Sequence, residues 1–219
     1  MIFRLALRNT LRNRRRSLLT ALTVVLGTMM LTVGLAWVNG IRGNIIRQAA
    51  QASGHVRVIT EDFARYESMH PLDEYIPATD DLEAALREVD GVKGVYPRIQ
   101  VGMLASDADT EELGENGALV VGAPISFYDE VMELTERLED GSWFSENADD
   151  ETLLGRVLAE QLDVIPGSEI ILIGGDSWRT RVRVVGILDT GNGLYDKQAY
   201  LTIERARSMS EMGNGAFEI

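Results

Sequence analysis

The chain has 219 residues, no cysteine and a formal net charge of −13. The missing cysteine removes disulfides, thiolate chemistry and cysteine metal sites together. Charge is unevenly spread: Arg4, Arg8, Arg12, Arg14, Arg15 and Arg16 come first, residues 17–41 carry no charge, and the first acid is Glu61. Residues 42–219 hold 15 basic and all 34 acidic side chains, a net of −19. A phosphate backbone would be repelled by that excess, so no nucleic-acid partner is expected.

Residues 1–16 set Ile2, Phe3, Leu5, Leu7 and Leu11 among the arginines. This pattern predicts a cytoplasmic amphipathic basic helix on the anionic membrane surface. Residues 17–38 follow as an uncharged, proline-free apolar run. At ~1.5 Å per residue it is long enough to cross a hydrocarbon core of ~30 Å. The six arginines before the span, against only Arg42 and Arg47 soon after it, put the N-terminus in the cytoplasm. Trp37 fits an interfacial aromatic. A cleaved signal is the alternative, since Arg15-Arg16 resembles a twin-arginine export signal. The run is longer than an ordinary signal core, however, and Ala36 to Gly40 holds no small-x-small cleavage site.

Thr20, Thr23, Gly27 and Gly34 fall on one stripe of the span, where small residues let a second helix approach. Such residues are also simply common in membrane helices. Residues 39–53 keep helical spacing through Ile41, Ile45, Ile46, Ala49 and Ala50, an outward extension that Gly54 would stop.

Residues 54–219 alternate short strand and helix patterns, which predicts a mixed α+β extracytoplasmic domain. Strands are expected at His55–Thr60, in Val92–Ser106 around Pro97, at Ala118–Val121, Thr152–Leu154, Glu169–Ile173, Trp178–Leu188 and Gln198–Thr202. Helices are expected from Thr79 or Asp80 to Val89, over Arg156–Leu162, and over Ile203–Met209 with Thr202 as its cap. Glu61–Ala78 and the acidic stretch Asp107–Asn116 read as loops. Helical turns and loop fill 126–148.

Catalytic patterns are lacking. There is no Walker A loop, and Gly174-Gly175-Asp176 reads as a hairpin turn. His55 and His70 have no metal-binding spacing, and Asp107, Asp109, Glu111 and Glu112 lack that of a calcium loop. No catalytic, cofactor-binding or metal residue is therefore expected, and function would come from binding and mechanical coupling.

Three stretches carry a resemblance. The opening FRLALRNTLRNRRRSLLTALTVVLG resembles the start of MacB/FtsX-type ABC transporter permeases. Gly141-x-Trp143-Phe144, LLGRVLAEQLDVIPGSEIIL and RVRVVGILDTGNGLYDKQAYLTIERAR resemble the periplasmic core domain of that family. The tone is closest to lipoprotein-releasing, LolC/LolE-like permeases. In this resemblance Gly141, Trp143, Phe144, Gly155, Ala159, Leu162, Gly167 and Gly186 are scaffold residues: Gly155, Ala159 and Leu162 would pack a short helix on the sheet, Gly167 would make a turn, and Gly186 would let a strand bend or meet another backbone.

The resemblance implies a permease in the inner membrane with its main domain periplasmic or extracellular. It implies a separate ABC ATP-binding subunit, a second permease copy or paralogue, the lipid bilayer, and a lipoprotein or periplasmic adaptor as partners. It implies no cofactor in this chain. The family has four membrane helices with the outer domain between the first two. One span and a last segment that starts a new strand at Phe217-Glu218-Ile219 therefore read as a fragment, its core domain incomplete at the C-terminus. The rival readings are an FtsX-like regulator of a cell-wall hydrolase and a single-pass binding or sensor module. Trp143, Phe144, Trp178 and Tyr195 are candidate exposed contacts, with core packing the simpler role for most of them.

Overall fold

A computed structural model describes residues 14–53, 56–66, 74–109, 116–175 and 179–219. The chain divides into two units, Met1–Ser53 and Gly54–Ile219.

Helix α1 of the first unit runs without a break over 40 residues, Arg14–Ser53. Its stretch Arg14–Gly40 is long and apolar enough to cross a membrane, and none of it is buried within the protein. Leu18, Leu22, Val25, Met29 and Met30 all stand exposed. The threonines do not interrupt this surface. Thr20, Thr23, Thr28 and Thr32 each donate the hydroxyl to the carbonyl four residues earlier, at Arg16, Leu19, Val24 and Thr28. Every such donor is thus satisfied inside the helix, as a lipid environment requires.

In the second unit β1 (Ile99–Asp107) and β2 (Asn116–Ala123) form an antiparallel pair. Helix α4 (Ile125–Glu130), a 3-10 turn (Leu134–Arg137) and β3 (Leu138–Gly141) follow. Then come β4 (Glu151–Gly155), α5 (Arg156–Leu162), β5 (Glu169–Ile173), β6 (Arg179–Leu188), β7 (Gln198–Thr202) and α6 (Ile203–Ser210). Two short helices, α2 (Glu61–Tyr66) and α3 (Asp80–Arg87), precede the strands.

The sheet order is β3-β6-β4-β7-β2-β1-β5, and β5 pairs with β6 as well. Six strands therefore join in a ring, with β3 added on β6. Ten-residue β6 makes this closure. Its first half is antiparallel to β5, its second half parallel to β4, and Arg183 is in register with both Glu169 and Glu151. The β4–β6 and β2–β7 pairs are parallel and the rest antiparallel, so the domain is mixed α+β.

Alternation along the strands divides the core in two. Leu154, Ala199, Leu201, Val120 and Val101 point to one cluster, which takes Leu158, Ala159 and Leu162 of α5 and Ile203 and Ala206 of α6. Leu153, Tyr200 and Val121 point to the other, with Phe127 and Tyr128 of α4 and Phe144. Central strands β4 and β7 are buried along their whole length, as strands covered on both faces are.

Four local expectations change. Helix α2 occupies the start of the stretch read as loop, because Thr60 Oγ1 accepts from Phe63 N at 3.2 Å and Phe63 stacks on Phe217 with centroids 5.6 Å apart. β3 falls within the stretch expected as helical turns and loop. Its sequence LEDG is polar and mostly exposed, and backbone pairing to β6 alone makes it a strand. Of the strand expected over 55–60, the described residues 56–60 form no strand, and the Val58 backbone pairs only with Ile219. Likewise 92–97 is not strand, and β1 begins after Pro97, at Ile99. Both histidines, Trp178, Glu111, Glu112 and the first three arginines lie outside the described residues.

Candidate functional site

Two arrangements stand out in the second unit: a packed joint between β3, β4 and β6, and an ionic cluster where the first and last described segments of the unit meet.

At the joint Gly141 and Gly186 are register partners. Gly141 has φ +84°, and a Cβ there would sit 2.3 Å from Val185 O. A Cβ on Gly186 would meet Ser142 O at 2.6 Å and the side chains of Leu138 and Leu153. Only a residue without a side chain admits this approach of backbones. Trp143 and Phe144 meet edge to face at 5.7 Å, and Phe144 stacks on Tyr128 at 6.1 Å. Phe144 belongs to the core, with half-buried Trp143 packed against it. Gly155 ends β4 just before α5 and lies against the backbone of Asp196, while Ala159 and Leu162 are buried in the first cluster. Gly167 has φ +100° and donates its N–H to Val184 O at 2.7 Å, closing the turn into β5. These eight residues pack and turn the chain. None presents a reactive group.

On the helix, Thr20, Thr23, Gly27 and Gly34 lie along exposed surface, and nothing stands within 4 Å of a Cβ placed at either glycine. Arg14, Arg15 and Arg16 are exposed at its start. No group of three or more metal-ligating side chains occurs among the described residues. Tyr195 is half-buried, and its carbonyl accepts from Tyr200 Oη at 3.1 Å.

The ionic cluster was not legible in the sequence. Ala216–Ile219 is buried among three segments, those of Val58, Ile76 and Arg98. Ile76 and Ala216 pair on one side, as do Arg98 and Glu218. Val58 and Ile219 exchange two backbone hydrogen bonds, of 2.8 and 3.1 Å, on the other. Within this sandwich Glu218 Oε1 is 2.8 Å from Arg98 Nη2, and Oε2 is 2.7 Å from Arg57 Nε. The Arg98 guanidinium also lies 4.9 Å from the centre of the Phe127 ring. Burial pushes the Arg98 pKa down, the Glu218 charge opposes that shift, and nearby Arg57 adds to it. Its partners lie 120 and 41 positions away in the chain, so no local pattern marks the cluster.

The second unit is a mixed α+β domain, and the first carries a helix long and apolar enough to cross a membrane. The chain matches the family described as MacB-like periplasmic core domain over residues 17–217, and it belongs to that family, which is that of the MacB/FtsX-type ABC transporter permeases. Its fold is similar to the periplasmic region of MacB from Actinobacillus actinomycetemcomitans, with a TM-score of 0.52 and 14% identity, covering 74% of this chain and 70% of that one. It is also similar to the extracellular domain of the noncanonic ABC-type transporter YknZ from Gram-positive bacteria, with a TM-score of 0.49 and 22% identity, covering 74% and 77%. Comparison with curated proteins finds no match.

Proposed function

We propose that this chain is a permease subunit of an ATP-driven exporter, coupling ATP hydrolysis in a separate cytoplasmic subunit to motion of its extracytoplasmic domain. The family match over 17–217 supports the class. The observation that carries the coupling is the unbroken α1. At ~1.5 Å per residue, 40 residues reach ~60 Å, twice the ~30 Å of a hydrocarbon core. The apolar stretch ends at Gly40, so 13 further residues continue as helix beyond it. A continuous helix transmits displacement where a loop would absorb it.

In this reading α1 crosses the cytoplasmic membrane with the arginine-rich end inside, and two permease copies or paralogues pair with two ATPases. ATP hydrolysis belongs to the partner subunit, and the coupling requires no cofactor of this chain. Cargo is a lipoprotein lifted from the outer leaflet or a molecule expelled from the periplasm, delivered with or without an adaptor.

The test is to purify the chain from native membranes, identify any co-purifying protein with a Walker A motif, and follow ATP turnover together with cargo release. A Gly-Ser insertion after Gly43 is expected to leave ATP turnover in place and abolish release. Absence of an ATPase sinks the reading. Association with a cell-wall hydrolase and no transported cargo would replace it with the regulatory role.

A further inference from the structure

We propose that Glu218 is a positioning residue for this coupling: it fastens the segment leaving α1 to the head of β1, so that displacement of the helix is delivered to the sheet. The proposal rests on the coupling reading above.

Arg57 stands four residues after Ser53, where α1 ends. Arg98 stands one residue before β1. A single carboxylate joins the two, one oxygen to each guanidinium, at 2.7 and 2.8 Å. The cluster is shielded from water: the side chains of Arg98 and Glu218 are 3% and 8% exposed, and that of Arg57 is 29%. Buried pairs of this kind are screened little by salt.

The surrounding backbone explains why an ionic fastening is needed. Segment 56–60 contributes no ladder to the sheet; its backbone contact with the end segment is the single Val58–Ile219 pair. The backbone of the end segment meets the rest of the domain through the isolated bridges at Ile76 and Arg98, while Phe217 stacks on Phe63 in the first core cluster. Isolated bridges define register weakly, and apolar side chains at such a joint could slide by two residues without losing their face. A carboxylate held from two sides cannot, because a shift leaves a buried charge without its partner. A buried ion triad is poor evidence of stability, since apolar residues of equal volume often do as well; fixing register is its better-attested use. Arg98 is itself anchored over the Phe127 ring, in the cluster that β4 and β7 share. Within the second unit the link therefore runs from the segment that follows α1 in sequence to the core, not to a peripheral loop.

The experiment uses the full chain in lipid nanodiscs, alone and assembled with its ATPase. Amide hydrogen exchange is read at Val58 and Ile219, and at Leu154, Ala199 and Leu201 in the sheet. Glu218→Gln and the milder Arg57→Met are expected to speed exchange at Val58 and Ile219 at least tenfold and the sheet amides less than twofold. Arg57→Lys should restore most of the protection. In the assembled transporter both disruptive variants should keep ATP turnover and lose at least tenfold in cargo release per ATP, with Arg57→Lys recovering it. Unchanged exchange at Val58 and Ile219, or an equal rise at every amide, overturns the fastening. Local loosening with undiminished release per ATP overturns its role in transmission. A parent chain that assembles with no ATPase instead overturns the permease reading, and the exchange result then stands alone as a structural fact.

Discussion

Gly155 lies so close to Asp196 that a Cβ on the glycine would fall 2.5 Å from the Cα, C and O of the aspartate. The contact joins the β4–α5 junction to the loop between β6 and β7. That loop is itself fixed, because Asp196 Oδ1 accepts from Thr190 N at 2.9 Å and from Thr190 Oγ1 at 2.7 Å. The backbone cannot yield cheaply, so Gly155→Ala is expected to cost ~1–3 kcal/mol by overpacking. Gly117→Ala is the control, with nothing within 4 Å of the added methyl and an expected change near zero. Denaturant midpoints of the two variants in detergent decide this. Equal midpoints would show that the loop moves aside.

Tyr128 and Tyr200 should make the domain sensitive to alkali. Both rings are fully buried and meet edge to face at 5.6 Å. Burial, as the largest cause, raises the pKa of each above the ordinary tyrosine value of 10.0. The native state then keeps its proton where the unfolded chain loses it. Stability from this source is fully present below about pH 10 and is lost as pH rises from there through the folded pKa values. Ultraviolet titration should show these two phenols ionising only together with unfolding.

Tyr128→Phe removes a hydroxyl that lies 2.7 Å from both Val121 O and Leu201 O, the carbonyls of neighbouring strands β2 and β7. The ring and its stacking on Phe144 stay. The single hydroxyl proton that these two buried carbonyls share is lost, which is expected to cost ~1–3 kcal/mol. A thermal midpoint unchanged from the parent would contradict the bond.

Thr202 caps α6 through its side chain, accepting from Arg205 N at 3.2 Å. Thr202→Ala should destabilise by ~1 kcal/mol and Thr202→Ser by much less. Chemical denaturation of both would show whether the hydroxyl or the methyl matters.

Leu26 is near the middle of the Arg14–Gly40 stretch and exposed. Leu26→Arg is expected to oppose membrane insertion by ~2.5–3.5 kcal/mol. Because the chain has no cysteine, single-cysteine variants report its topology directly. In intact cells an impermeant maleimide should label Asp109→Cys in the outer domain and spare Ser17→Cys. The reverse pattern would invert the orientation.

By itself the sequence determined what local chemistry controls. An uncharged run behind six arginines needs no tertiary context to be a helix long and apolar enough to cross a membrane. The helix over Arg156–Leu162 and the strands at Glu169–Ile173 and Gln198–Thr202 have the bounds their spacing predicts, because glycine, proline and threonine punctuate them at close range. The tertiary structure decided everything that depends on partners distant in the chain. Phe63 needs Phe217, 154 positions on, to anchor α2. The polar β3 is a strand only because β6 offers it an edge. The ring closes because one long strand pairs with β5 and β4 in turn. Glu218 meets Arg57 and Arg98 for the same reason: side chains 161 and 120 positions apart have no periodicity in common, and only the folded backbone brings their charges together out of water.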